Sequence, residues 1–314
     1  MTQTTAQRPA AVTAQARSVP RSSGDPQRTA LAFIAPFGVL YLLFILGPLL
    51  YGVASSLFSA SLVRPGLGSW IGLQNYADVL GNPTFWGSVR NTLLFTALTT
   101  VPLVIIGLVT AILVNRVRRA QWFFRLAFFL PYVLPSATMA LVWLFIYSPG
   151  LGLIDSILTG LGFTSAGVLG NPNTAILGVA VATVWWTLGF NFVLFLAGLQ
   201  EIPAEHYEAA ALDGASTLQQ IRFVVLPQLR STTVLVVVLQ IVASLKVFDQ
   251  IFIMTSGGPG TATVSVLEFV YNTGFTDYRV GAASAASTLF FLMIFIVSMV
   301  WVSMTRRQQR KSTP

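Results

Sequence analysis

Chemistry needs polar side chains brought together, and this 314-residue chain has few: ten acidic residues, eighteen Lys and Arg, one histidine and no cysteine. The densest group lies in IPAEHYEAAALDGASTLQQIRFVVLP (202–227), which holds Glu205, His206, Glu208 and Asp213. A histidine between carboxylates raises the question of a metal site. Zinc takes three or four ligands, and His206 has only Glu205 and Glu208 at helical spacing, so no metal is expected. No catalytic constellation stands out. A phosphate-cradling loop needs Gly-x-x-x-x-Gly-Lys-Ser/Thr, but the only lysines are Lys246, inside an apolar run, and Lys311, near the C-terminus. The chain is expected to bind no cofactor and to hydrolyse no ATP itself. Without cysteine there are no disulfides and no thiolate chemistry.

The elements that must position these residues are apolar. The chain is 54% hydrophobic and 9% charged, with a mean hydropathy of +0.74. About 20 apolar residues cross a hydrocarbon core of about 30 Å, and six runs qualify: 31–57, 92–114, 126–147, 175–199, 233–255 and 282–304. Inside lipid each backbone amide must be satisfied within its own segment, so the runs read as helices. The expected fold is all-α, a polytopic membrane protein with six transmembrane helices spread over 29–304. Residues 1–28 are polar, without apolar period, and read as a disordered tail; 305–314 is a short basic tail.

The formal charge of +8 is concentrated in the tails and in one loop, at Arg116, Arg118, Arg119 and Arg125. Positive charge stays on the cytoplasmic face during insertion, which places both termini and the 200–230 loop in the cytoplasm and 59–90, 148–174 and 256–281 outside. In 59–90, Leu73, Tyr76, Val79 and Leu80 fall at helical spacing beside Trp70 and Trp86, the pattern of an interfacial helix with aromatic anchors.

The polar loop itself is a helix, turn, helix. Pro203 suits a first helical position, Ala204 to Leu212 are helix formers, and Gly214 stands where a left-handed cap would end the helix. Ser216 and Gln219 have capping-box spacing. Leu218, Ile221 and Val225 give the second helix an apolar face until Pro227 ends or bends it. A solvated connector has no need of such caps, and a DNA-reading hairpin is opposed by Glu201, Glu205 and Glu208, which repel phosphates. A docking element that inserts into a partner's groove is the third reading.

EAAALDGASTLQQIRFVVLP resembles the EAA loop of permease subunits of bacterial ATP-binding cassette importers, through Glu208, Ala209, Ala210, Asp213, Gly214, Leu226 and Pro227. KVFDQIFIMTSGGPGTAT (246–263), IGLQNYADVL (71–80) and YNTGF (271–275) are similar to the carbohydrate branch, the MalF/UgpA-like permeases. Family members often carry another proline soon after Leu-Pro, where this chain reads Gln228, Leu229, Arg230, Ser231. The resemblance implies a bacterial plasma-membrane permease that translocates a sugar or oligosaccharide by alternating access. Its implied partners are a second homologous permease, two copies of a cytoplasmic ATPase that use ATP and magnesium, an extracytoplasmic solute-binding protein and membrane lipid, with no nucleic acid. The loop would be the coupling helix: Glu208 would meet a basic residue of the ATPase, and Gly214 would make the turn. A glycerol-phosphate-type solute is the alternative substrate. A secondary transporter is a further one, against which the spans contain few titratable groups.

For the pathway, Lys246 and Asp249 lie three apart in the fifth run, which puts them on one face of a continuous helix. A charge at mid-membrane costs roughly 2.5 to 3.5 kcal/mol on insertion scales, so the two form a structural ion pair or line a cavity. Sugars are held by aromatic faces and by amide and hydroxyl hydrogen bonds. Trp185, Trp186, Asn191 and Gln240 are therefore further candidates, with packing as the competing reading for the tryptophans.

Overall fold

The computed structural model describes residues 26–117, 119–162 and 167–311. The 1–25 part of the tail read as disordered lies outside them, whereas a helix already starts at Pro26. Every regular element among the described residues is helical, with only two isolated bridges, Phe58 to Trp70 and Ser61 to Arg64.

The first apolar run is α1 (Pro26–Tyr41), a π-helical turn (Leu42–Leu46) and α2 (Gly47–Ser55). The turn has a local cause. Proline has no N–H and its ring crowds the carbonyl four residues back, so the helix ahead of Pro48 widens and Gly47 N–H reaches Leu42 O instead. Pro227 produces the same effect at the same spacing: a π-helical turn over Ile221–Val225, with Leu226 N–H bonded to Ile221 O.

From residue 51 onward the chain is a second unit, described by itself. Its frame is α4 (Pro83–Asn115) against α8 (Ala175–Gln200). Asn82 caps α4 by accepting from Thr84 N–H, and Pro83 occupies the first turn. Lipid is as apolar as leucine, so helices associate in a membrane through close packing and interhelical hydrogen bonds. Both are present. α5 (Gln121–Val133) approaches α8 so closely at Gly189 that a Cβ there would stand 2.2 Å from Phe128 O. On the other flank, Asn191 Nδ2 donates to Gln240 Oε1 (3.0 Å), Gln240 Nε2 to Ser244 Oγ (2.9 Å), and Ser244 Oγ meets Thr99 Oγ1 (2.9 Å). This buried chain ties α8 and α4 to α12 (Arg230–Leu245), and such bonds are worth about 0.6 kcal/mol each, at most about 1.7.

Two of the expected runs are not straight. The third is α5 and α6 (Ser136–Ile146), meeting at 96°. Leu134 is extended ahead of Pro135, as a residue before proline must be, so the helix cannot pass through. The fifth run is α12 followed by a separate α13 (Asp249–Met254), and 217–228 enters α12 at 66°. Among the described residues three helices can cross a membrane by length and composition, or up to five if each bent pair is one span, and Val280–Ile296 is a shorter apolar stretch at the start of α15 (Val280–Lys311).

The loops between are also helical in part: α3 (Gln74–Leu80), α7 (Leu153–Gly160) and α14 (Val266–Tyr271). α3 is more than an interfacial helix. Val79 is buried in a cluster with Phe85, Phe269 and Ala282, Asn75 Nδ2 donates to the carbonyls of Ser56 and Phe58, and Asp78 ion-pairs with Arg279 at 3.4 Å. Trp70 and Trp86 remain exposed.

Candidate functional site

The polar loop folds as α9 (Ala204–Leu212), a tight turn and α10 (Thr217–Gln220), leading through the π-helical turn to α11 (Leu226–Gln228). Gly214 is left-handed, at φ +76°. Its N–H donates to Ala211 O and that of Ala215 to Ala210 O, the paired bonds of a Schellman cap. Ser216 and Gln219 complete the capping box reciprocally. No residue of α9 or α10 is fully buried. The hairpin is held at its base, where Ile202 and Tyr207 pack against the buried cluster that includes Leu199, Val225 and Leu229. Burial raises the Tyr207 phenol above its ordinary value, and Arg116 nearby pulls it the other way.

Glu208, Ala209, Asp213 and Gly214 are exposed and Ala210 is half-buried; Leu226 and Pro227, on α11, are exposed too. The apolar face expected of the second helix is split. Val225 is buried, while Leu218 is 74% exposed. Leu212 (89%) and Phe223 (68%) are also open; Leu212 lies one turn on from Glu208 in α9, and the Phe223 ring carries the Arg222 guanidinium over its face, 5.7 Å from the centroid. Contiguous exposed apolar side chains mark interaction surfaces.

The second site is a cavity of about 250 Å³ between α4, α6, α8 and the α12–α13 junction. Trp186, Gln240, Lys246 and Asp249 line it, together with Ser136 and Thr183, which sequence reasoning missed. Asn191 lies one layer beneath, fully buried against Gln240. Trp185 does not line it; its ring meets Trp143 edge-on, 5.7 Å between centroids.

Lys246 and Asp249 do not share a helix face, which corrects the expectation from their spacing. α12 stops at Leu245, residues 246–248 are unwound, and Asp249 opens α13. Nor do they form an ion pair: among the described residues Asp249 Oδ2 accepts from the Ser136 hydroxyl at 2.6 Å. The cause is the broken helix. Lys246 stands just past the C-terminus of α12 and Asp249 in the first turn of α13, so each charge meets the helix end whose dipole favours it. Trp186 is fixed at the opposite wall, its Nε1 donating to Leu134 O at the α5–α6 break (3.0 Å). The cavity presents an ammonium, hydroxyls, an amide, a carboxylate and one indole. That set can hydrogen-bond a polyhydroxylated solute in several orientations and stack one of its faces.

Comparisons with known proteins show what the chain as a whole is similar to. The family model described as "Binding-protein-dependent transport system inner membrane component" matches residues 103–311. The chain is 34% identical over 272 residues to the probable ABC transporter permease protein YurN of Bacillus subtilis, covering 85% of this chain and 92% of that one. It is 35% identical over 240 residues to the trehalose/maltose transport system permease protein MalF of Thermococcus litoralis, covering 76% and 80%. A bacterial alginate ABC transporter, solved in complex with an alginate pentasaccharide-bound periplasmic protein, has a chain of the same fold. The TM-score is 0.80 at 20% identity, covering 90% of this chain and 95% of that one.

Proposed function

The chain belongs to the family of binding-protein-dependent transport system inner membrane components, and from that premise we propose that it is the permease subunit of an ATP-driven carbohydrate importer in a bacterial plasma membrane. The observation that carries the coupling half of this reading is the capped hairpin with Glu208 exposed among open apolar side chains, on a chain with no phosphate-binding loop. A separate ATPase subunit, using ATP and magnesium, docks there and pushes. Two ATPase copies and a second, similar permease complete the membrane complex, and a binding protein delivers solute from outside. The positive tails and the Arg116–Arg125 loop support a cytoplasmic hairpin and cytoplasmic termini.

The carbohydrate reading rests on the cavity, whose indole, hydroxyls, amide and opposite charges suit a sugar, and on relatives named for sugar transport. Trp186 stacks on the sugar ring, while Gln240, Lys246, Asp249 and Ser136 bond its hydroxyls. Movement follows from alternating access: the broken helices α5–α6 and α12–α13 end at the cavity, as expected of a binding site built from discontinuous helices. The test is uptake of labelled oligosaccharides into vesicles carrying the whole complex with its binding protein. Uptake that requires ATP inside is expected; uptake that runs on an ion gradient without ATP contradicts the reading.

A further inference from the structure

One buried carboxyl takes no part in coupling or in the cavity. Glu268, in the first turn of α14, is 1% exposed, and among the described residues its Oε2 has no hydrogen-bond partner. It lies under the loop that runs from Ser256 to Val264. A Cβ added at Gly257 would stand 3.0 Å from Glu268 Oε1 and 2.6 Å from a Val264 methyl, so the loop backbone rests directly on the carboxyl.

That loop is held closed by neutral bonds. Thr263 N–H donates to Gly257 O (3.1 Å), Thr263 Oγ1 to Gly258 O (2.9 Å), and Asn91 Nδ2 on α4 to the carbonyls of Thr261 and Val264. The next residue connects it to the cavity wall. Ser265 Oγ accepts from Glu268 N–H (3.2 Å) and donates to Val247 O (3.0 Å), the carbonyl of the unwound 246–248 segment. Glu268, the loop and the cavity wall are thus linked through one serine.

Among the described residues no opposite charge steadies the carboxylate. The titratable groups on the elements around it are Arg90 on α4, Tyr76 and Asp78 on α3, Lys246 and Asp249 at the α12–α13 junction, Tyr271 on α14, and Asp277, Tyr278 and Arg279 ahead of α15. The 256–264 loop has none. Among the described residues none of these ion-pairs with Glu268, and Arg279 is engaged by Asp78. An unpaired carboxylate buried under a packed loop must either stay protonated or let water in, because burial of an unpaired charge is strongly opposed.

We propose that Glu268 is a proton-operated latch: protonated, it keeps the 256–264 loop packed on α14 and the Val247 carbonyl anchored; ionised, it draws in water and frees the loop. The charge pattern of the sequence puts 256–281 outside, so the latch would sense the external medium. The direction follows from the burial. Desolvation lifts the carboxyl from its ordinary 4.5 to about 7, so the proton is bound more tightly in the folded chain. The packed state is fully favoured below about 4.5, weakens as pH rises, and is lost above about 7.

The test uses the full chain in its membrane complex. This chain has no cysteine, so Thr261→Cys, with cysteine-free partner subunits, gives a single spin-label site on an exposed part of the loop. Label mobility is followed from about pH 5.5 to about pH 8.5, a span that brackets the shifted carboxyl. The expected result is a rise in mobility centred near 7, and its loss, with the label immobile throughout, in Glu268→Gln. Glu268→Leu, which fills the same space without any proton, is the second variant and is expected to be equally flat. The same mobility transition in either variant, or no transition with Glu268 in place, overturns the latch. The readout needs no transport, so it stands apart from the importer assay.

Discussion

The 202–229 hairpin and the 245–249 junction both interrupt apolar helices, but they are made by different means. The hairpin is written in its own residues: a left-handed Gly214, the Ser216–Gln219 box and Pro227 with its π-helical turn. The junction, Leu245-Lys246-Val247-Phe248-Asp249, contains neither glycine nor proline. It is opened from a distance, by Ser265 taking the Val247 carbonyl and by the cavity that receives Lys246 and Asp249. A surface meant for another protein can be specified locally. A passage has to be specified by what surrounds it.

Paired glycines give the widest contrast. Gly189→Ala would drive a Cβ to 2.2 Å from Phe128 O and 2.7 Å from Phe129 Cα, backbone atoms that cannot step aside. Overpacking of this kind costs about 1 to 3 kcal/mol or more, so the purified chain should melt well below the parent or fail to accumulate. Nothing lies within 4 Å of a Cβ at Gly214, and Gly214→Ala should cost only the left-handed strain, about 1 to 2 kcal/mol. Equal losses in the two melting curves would erase the distinction.

Paired serines sharpen it with a smaller effect. Ser265→Ala removes the cap of α14 and leaves the Val247 carbonyl without its bond, at about 1 to 3 kcal/mol. Ser216→Ala removes an exposed cap, at about 1 kcal/mol. Hydrogen exchange should show the larger loss spreading to 246–248 in the first case and staying within 214–220 in the second. Spreading in both would mean the hairpin is not local.

The same contrast explains what was legible in the sequence. Caps, turns and apolar runs depend on neighbours a few residues away, so α9, α10, the Gly214 turn and the bend near Pro227 could be read directly, as could the all-α class. The spacing of Lys246 and Asp249 assumed an unbroken helix, and nothing nearby in the chain says otherwise. Trp186, Gln240 and those two charges stand out by their chemistry, and they line one cavity. Ser136 and Thr183 were missed because a hydroxyl in an apolar run carries no signal until its helix is placed. The open Leu212 and Phe223 were legible as residues but not as exposed ones.

The central claim is that the hairpin transmits the work of a separate ATPase, with Glu208 as the charged contact. Glu208→Lys tests it most directly, because Glu208 is exposed in this chain and its reversal should leave the fold intact. Removing one side of a desolvated charge pair costs about 2 to 5 kcal/mol of docking. In vesicles bearing the full complex, uptake and ATP hydrolysis are measured on the same sample. Uptake is expected to collapse, and any remaining hydrolysis no longer to respond to the loaded binding protein; parental uptake per ATP hydrolysed would show that Glu208 is not the coupling contact.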